Sequence, residues 1–134
     1  MGDYFGHWIK IGQHVGAKLP KIFYVNWFRK DENGKFLWPG YGDNSRVLAY
    51  VFDRCNNKGE TVDTAIGKVP APKSINTEGM KGMCDVRLEK VFEVNNDEWK
   101  AEVALIEEHY ARFGNHLPTE LTVELTGLKQ RLGI

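Results

Sequence analysis

Aromatic residues crowd one stretch of this chain. Nine of its sixteen Phe, Trp and Tyr residues fall between Phe23 and Phe52, and rings in that density must either pack into a core or form a surface that holds something flat. Within Lys21 to Arg29 the run Ile22-Phe23-Tyr24-Val25-Asn26-Trp27-Phe28 is dominated by β-branched and aromatic residues over a strand-like length, which predicts a buried strand. Alternation puts Phe23, Val25 and Trp27 on one face and Tyr24, Asn26 and Phe28 on the other, so at least one ring faces away from any single core layer. Asp31-Glu32-Asn33-Gly34 reads as a turn, with Asn33-Gly34 suited to positive φ, and Lys35-Phe36-Leu37-Trp38 resumes an extended pattern. The expectation is an aromatic β-hairpin.

Elsewhere the apolar spacing is helical. Tyr4, Phe5, Trp8, Ile9, Ile11 and Val15 follow one helical face, with Asp3 placed to cap the first turn of a helix that frays near Gly12 and Gly16. Pro39-Gly40-Tyr41-Gly42 breaks the second strand, and Asp43 or Asn44 can cap a helix carrying Val47, Leu48, Val51 and Cys55 that ends around Asn56 to Gly59. Residues 60–83, with Pro70, Pro72 and three glycines, read mostly as loop, extended only from Ala65 to Val69. A short helix is predicted from Asp85 through Val91. Trp99, Val103, Ile106, Tyr110 and Phe113 mark a longer one from Asp97 to Phe113, stopped at Gly114. Leu121, Leu125, Leu128 and Leu132 mark a last helix opened by Pro118 and Thr119, and the two stripes predict an antiparallel helical hairpin. The order of elements is an α+β reading over residues 1–134, taken as one domain-sized piece. Met1-Gly2-Asp3 runs almost directly into an amphipathic stretch, as though cut from something longer.

Charge and cysteine usage narrow the function classes. Eighteen basic residues balance eighteen acidic ones, so no long-range field gathers duplex DNA or an acidic membrane surface. Cys55 and Cys84 lie far apart with no CxxC pair, which fits a reducing compartment and predicts buried thiols rather than ligands. No stretch approaches the roughly 20 apolar residues needed to span a bilayer. A cytoplasmic protein with no membrane partner is expected.

An aromatic face beside a glycine-rich turn is what a base-stacking slot needs, since each stacked base is held by about 1–3 kcal/mol. Pro39-Gly40-Tyr41-Gly42-Asp43-Asn44 supplies the turn: glycines let the backbone approach a ligand, and Asn44 offers both a donor and an acceptor. Asn44 could equally be a helix N-cap, although Asp43 is available for that role. Phosphoryl-transfer machinery is harder to find. There is no GxxxxGK[ST], and Gly34-Lys35 and Gly67-Lys68 are followed by Phe and Val rather than a metal-binding hydroxyl. His7, His14, His109 and His116 show no carboxylate pairing that resembles a metal site, and Glu107 and Glu108 read as a solvated face. No catalytic residue and no metal ligand is expected in the chain.

The run Lys18-Leu-Pro-Lys-Ile-Phe-Tyr-Val-Asn-Trp-Phe-Arg-Lys, with Gly34-Lys-Phe-Leu-Trp-Pro-Gly-Tyr-Gly-Asp-Asn-Ser-Arg-Val-Leu48, resembles the guanine-site segment of GTP-dependent phosphoenolpyruvate carboxykinases. Tyr4 to Trp8 is similar to the helix after that family's active-site lid, and Glu98 to Arg131 to its C-terminal helices; residues 60–96 match weakly. The resemblance implies part of a larger C-terminal nucleotide-binding domain. Its parent, expected to be monomeric, converts oxaloacetate and GTP to phosphoenolpyruvate, GDP and CO₂ in gluconeogenesis. Manganese sits at the active site and a second divalent ion, magnesium, accompanies the nucleotide. It also implies that Phe28 and Tyr41 sandwich the guanine, Phe36 closes the pocket edge, Asn44 hydrogen-bonds the base and Trp27 backs the pocket. The family usually has Phe at Tyr41 and Glu at Asp43; the ring face and the charge survive these changes. Because the family's phosphate loop, metal ligands and lid precede this segment, the isolated chain is expected to be inactive. Its partners would be a guanine nucleotide and the rest of the catalytic core, and surface uncovered by that core would favour self-association. Two other readings use the same face. One is a single-stranded nucleic-acid reader stacking bases on Trp27, Phe28, Phe36 and Tyr41, with Lys18, Lys21, Arg29 and Lys30 along the backbone. The other is a structural interaction module.

Overall fold

Helices dominate the chain. The structure, a computed structural model, describes residues 1–134 and contains α1 (Gly2–Gly12), α2 (Asn44–Cys55), α3 (Asp85–Phe92), α4 (Asn96–Ala111) and α5 (Thr119–Leu132), with one antiparallel pair, β1 (Thr61–Thr64) and β2 (Gly67–Pro70). The expected α+β class holds in this helix-rich form. Residues 1–20 with 95–134 make one compact unit and residues 21–94 another.

In the first unit the helical periodicity carries through. Trp99, Val103, Ile106, Tyr110 and Phe113 are all sheltered, as are Leu121, Leu125, Leu128 and Leu132, with Val103 and Leu132 buried. α4 starts where its cap dictates: Asn95 Oδ1 accepts from the Asp97 and Glu98 amides at 3.0 and 3.3 Å, satisfying donors that the first turn leaves free. α5 ends at Gly133, which takes the left-handed conformation that favours glycine. α1 stops at Gly12, one of the two glycines where fraying was expected, but of its apolar positions only Phe5 and Ile9 turn inward. Phe5 meets Phe113 edge-on at 5.5 Å between ring centroids. Asp3 lies inside the helix and does not cap it; its carboxylate pairs with His116 Nδ1 at 3.0 Å. Gly2 must be glycine, because a Cβ there would fall 2.1 Å from the His116 carbonyl oxygen.

The second unit contains the main correction. Residues 21–29 form no strand, and the expected aromatic hairpin reduces to a single antiparallel bridge between Lys30 and Phe36. The Asp31–Gly34 turn is present, with Asp31 Oδ1 accepting from the Asn33 and Lys35 amides at 2.9 Å each and Gly34 at φ +75°. Strand formation fails upstream because Asn26 Oδ1 captures the Phe28 amide at 2.9 Å, a local turn that competes with any ladder. The regular hairpin lies instead in the stretch read as loop, where Thr61 to Thr64 pair with Pro70 to Gly67 across a two-residue connection. Its proline and its short strands conceal it in the sequence.

The core of this unit is Trp38, Tyr50, Ile75 and Met80, flanked by Trp27, Val47, Met83 and Phe92. α2 turns Val47, Tyr50, Val51 and Arg54 inward, so the predicted face is rotated: Leu48 and Cys55 are exposed. Cys84 is exposed too, contrary to the expectation of buried thiols. Tyr50 donates its hydroxyl to the Glu60 carbonyl at 2.9 Å, and burial pushes its phenol above its ordinary value. No helix is long and apolar enough to cross a membrane.

Two outcomes follow for the first unit. Asn95→Ala should lower stability by about 0.5–2 kcal/mol in urea unfolding, whereas Asn95→Asp, which keeps an acceptor, should be close to neutral. The hydrogen bond to His116, and then the charge of that ring, hold the Asp3 carboxyl below its ordinary 3.8. A depressed carboxyl stabilises the fold above its unfolded value, and that contribution is lost as pH falls through the folded value. The urea-midpoint gap between wild type and Asp3→Asn should therefore be open at neutral pH and close as the pH drops below 3.8.

Candidate functional site

A cavity of about 820 Å³ opens in the second unit, and Trp27, Phe28, Phe36, Tyr41 and Asn44 all line it. These residues come from three places. Trp27 and Phe28 end the irregular segment, Phe36 follows the Asp31 turn, and Tyr41 and Asn44 straddle the entry to α2. Burial divides the aromatic cluster that composition left undivided. Trp38 is 6% exposed and belongs to the core, with Trp27 packed against it, while Phe28 is 71% exposed and Tyr41 95%. Phe28 and Phe36 meet edge-on at 6.1 Å, which leaves ring faces open to a flat ligand.

The glycine turn shapes the opposite wall. Gly40 sits at φ +118° and ψ −157°, a conformation that only glycine takes readily, and its bare backbone lines the cavity. The N-cap position of α2 is Asp43, but its carboxylate accepts from Arg46 Nε at 3.0 Å instead of from a helix amide. Asn44 is the first helical residue and does not cap either. Its Oδ1 accepts from Trp38 Nε1 at 2.9 Å, so the N-cap role that the sequence allowed it is not taken.

Three cations, Lys35, Lys81 and Arg87, line the cavity and no carboxylate does, so a neutral chain presents a locally positive site. Arg87 holds the wall together: it donates from Nε to the Leu37 carbonyl at 2.7 Å, from Nη2 to Phe36 at 2.6 Å and from Nη1 to Gly82 at 3.1 Å. Sequence reasoning missed Arg87 and Lys81 because they lie far along the chain in a weakly matched stretch. An arginine in a short amphipathic helix reads as solvated surface, and no local motif marks it. Nor does the chain gather three His, Cys, Asp or Glu side chains in one place, so the manganese implied by the resemblance finds no donor set among these residues. Replacing Arg87 by Met leaves main-chain carbonyls without their charged donor. Loss of about 1–3 kcal/mol in urea unfolding is expected, with a weakened near-UV circular dichroism band from the loosened rings.

Comparison with known proteins agrees with the sequence resemblance. The family profile described as phosphoenolpyruvate carboxykinase C-terminal P-loop domain matches residues 1–131. A protein of Treponema pallidum named phosphoenolpyruvate carboxykinase [GTP] is 50% identical over 134 residues, covering 98% of this chain and 22% of its own length. One from Renibacterium salmoninarum with the same name is 47% identical over 133 residues, again 98% of this chain and 22% of the relative. The cytosolic phosphoenolpyruvate carboxykinase [GTP] of Gallus gallus is 43% identical over 132 residues, 98% of this chain and 21% of that protein. The chain thus spans about a fifth of the length of the curated relatives it matches. With a family profile fitted almost end to end and identities of this size, the chain belongs to the GTP-dependent phosphoenolpyruvate carboxykinases, within their C-terminal P-loop domain.

Proposed function

We propose that this chain is the guanine-recognition portion of a GTP-dependent phosphoenolpyruvate carboxykinase. One observation carries the reading: five residues chosen from sequence, Trp27, Phe28, Phe36, Tyr41 and Asn44, line a single cavity whose two most exposed rings are not needed for packing. In this reading Phe28 and Tyr41 stack on the two faces of the base, for about 1–3 kcal/mol of attraction. Phe36 closes the edge, Asn44 bonds the base and Trp27 supports the wall. The parent reaction takes oxaloacetate and GTP to phosphoenolpyruvate, GDP and CO₂, in a cytoplasmic setting. Phosphate cradle, manganese, magnesium and substrate arginines belong to the remainder of the longer protein. The chain alone is inactive. Its contribution is to fix the nucleotide at a point remote from the transferred phosphoryl, where binding free energy is converted into orientation of the reacting atoms.

The competing nucleic-acid reading loses most of its cations. Lys21 Nζ bonds the Arg54 carbonyl at 2.6 Å and Asn57 Oδ1 at 2.9 Å. Arg29 Nη1 bonds the carbonyls of Val91 and Glu93 at 3.2 and 2.5 Å, and Lys30 Nζ lies over the Phe36 ring at 5.2 Å. Three of the four groups assigned to a phosphodiester backbone are thus engaged within the protein.

Joining this chain to the preceding catalytic region of the Treponema pallidum relative tests the proposal. GTP-dependent carboxykinase activity should appear, and Phe28→Ala or Asn44→Ala should lower kcat/KM for GTP roughly 5- to 150-fold, equivalent to about 1–3 kcal/mol. Equal activity with ATP, indifferent to both substitutions, would refute the assignment.

A further inference from the structure

Trp38 lines the cavity, yet its ring is buried in the core and offers little face to a ligand. What it presents is one polar group, the indole N–H, and that group is bonded to Asn44 Oδ1 at 2.9 Å. An indole N–H can only donate. The amide atom facing it must therefore be the oxygen, which fixes the sense of a side chain whose oxygen and nitrogen ends are nearly identical in shape. Buried Trp38 cannot turn away, and Asn44 is anchored by its place in the first turn of α2. The group that Asn44 has left to give is its Nδ2 amine, a donor.

We infer that Trp38 is a positioning residue that selects the base through Asn44, holding the amide so that a donor meets position 6 of a purine. This rests on the guanine reading of the same cavity. Guanine carries an oxygen acceptor at that position and adenine an amine donor. A donor from Asn44 pairs with the first and is left opposite another donor by the second, and a site built this way rejects the mismatched base because its polar group goes unpaired. Without the indole N–H the amide is free to turn over. Its oxygen would then accept from adenine as readily as its nitrogen donates to guanine, so selectivity would fall while the stacking rings stayed in place.

The test is titration of the chain with GDP, IDP and ADP, followed by NMR of the Asn44 side-chain amide, a method that reads millimolar binding. Two variants remove the indole N–H: Trp38→Phe, and replacement of Trp38 by 3-benzothienylalanine, which keeps the ring volume and guards against simple loss of the core. Wild type should prefer GDP and IDP over ADP, and in both variants that preference should shrink about tenfold or more, by loss of discrimination rather than of all binding. The Trp38 Hε1 proton should exchange far more slowly than that of exposed Trp8, and Asn44→Ala should abolish this protection. A GDP-to-ADP ratio unchanged in the benzothienyl variant would overturn the positioning role and leave the guanine reading standing. A wild-type chain with no preference for 6-oxo purines would overturn both.

Discussion

Cationic side chains reaching main-chain carbonyls hold the second unit together. Arg87 bonds the carbonyls of Phe36, Leu37 and Gly82, Arg46 those of Asn76 and Glu78 at 2.9 and 2.8 Å, and Arg29 those of Val91 and Glu93. Lys21 caps the carbonyl end of α2 in the same way. In a β-sheet these oxygens would be paired along a ladder. Here the aromatic segment has only the bridge between Lys30 and Phe36, and the half-buried Leu37 carbonyl finds its donor in Arg87. The guanidinium, with several donors in a fixed plane, can serve two or three carbonyls from one residue. That geometry lets an irregular backbone stay ordered and so lets the aromatic wall keep a shape that no regular strand would have.

The irregularity suits the site. A strand would alternate its side chains and direct about half of the rings into the core. Here Trp27 packs against the core and Phe28 lies outside next to Phe36, as alternation would also have it, but Phe23 and Val25, which a strand would turn inward with Trp27, stay exposed. On the other wall Gly40 and the turn at Tyr41–Asp43 bring Tyr41 out of the packed layer. Exposing such rings forgoes a burial free energy of about 1.5–3 kcal/mol for each large side chain. Core and cavity meet at Trp27 and Trp38, and the Trp38 indole bonds Asn44.

Legibility followed the range of the interactions. α4 and α5 could be read closely because their stripes are local, repeat every three or four residues and end near a Gly, and α5 opens at a Pro-Thr. Phe28, Phe36, Tyr41 and Asn44 were singled out by the resemblance to the carboxykinase guanine segment, not by local pattern, and the structure brings them to one cavity. The strand over Lys21 to Arg29 was misread because propensity counted its aromatic residues while the outcome turned on Asn26 and on the absence of a partner strand. The hairpin at 61–70 was missed because its two strands are four residues each and one ends in proline.

By itself the sequence determined the family, the helical stripes, the turn positions and the set of aromatic residues from which a binding wall could be built, since each of these is encoded within a few residues or one helical repeat. Tertiary structure decided which rings are core and which are wall, which atom of Asn44 is committed to Trp38, and that Arg87 and Lys81 belong beside residues some fifty positions away. Those choices depend on where a carbonyl or an indole N–H finds its partner across the fold, and no local pattern in the chain specifies that pairing.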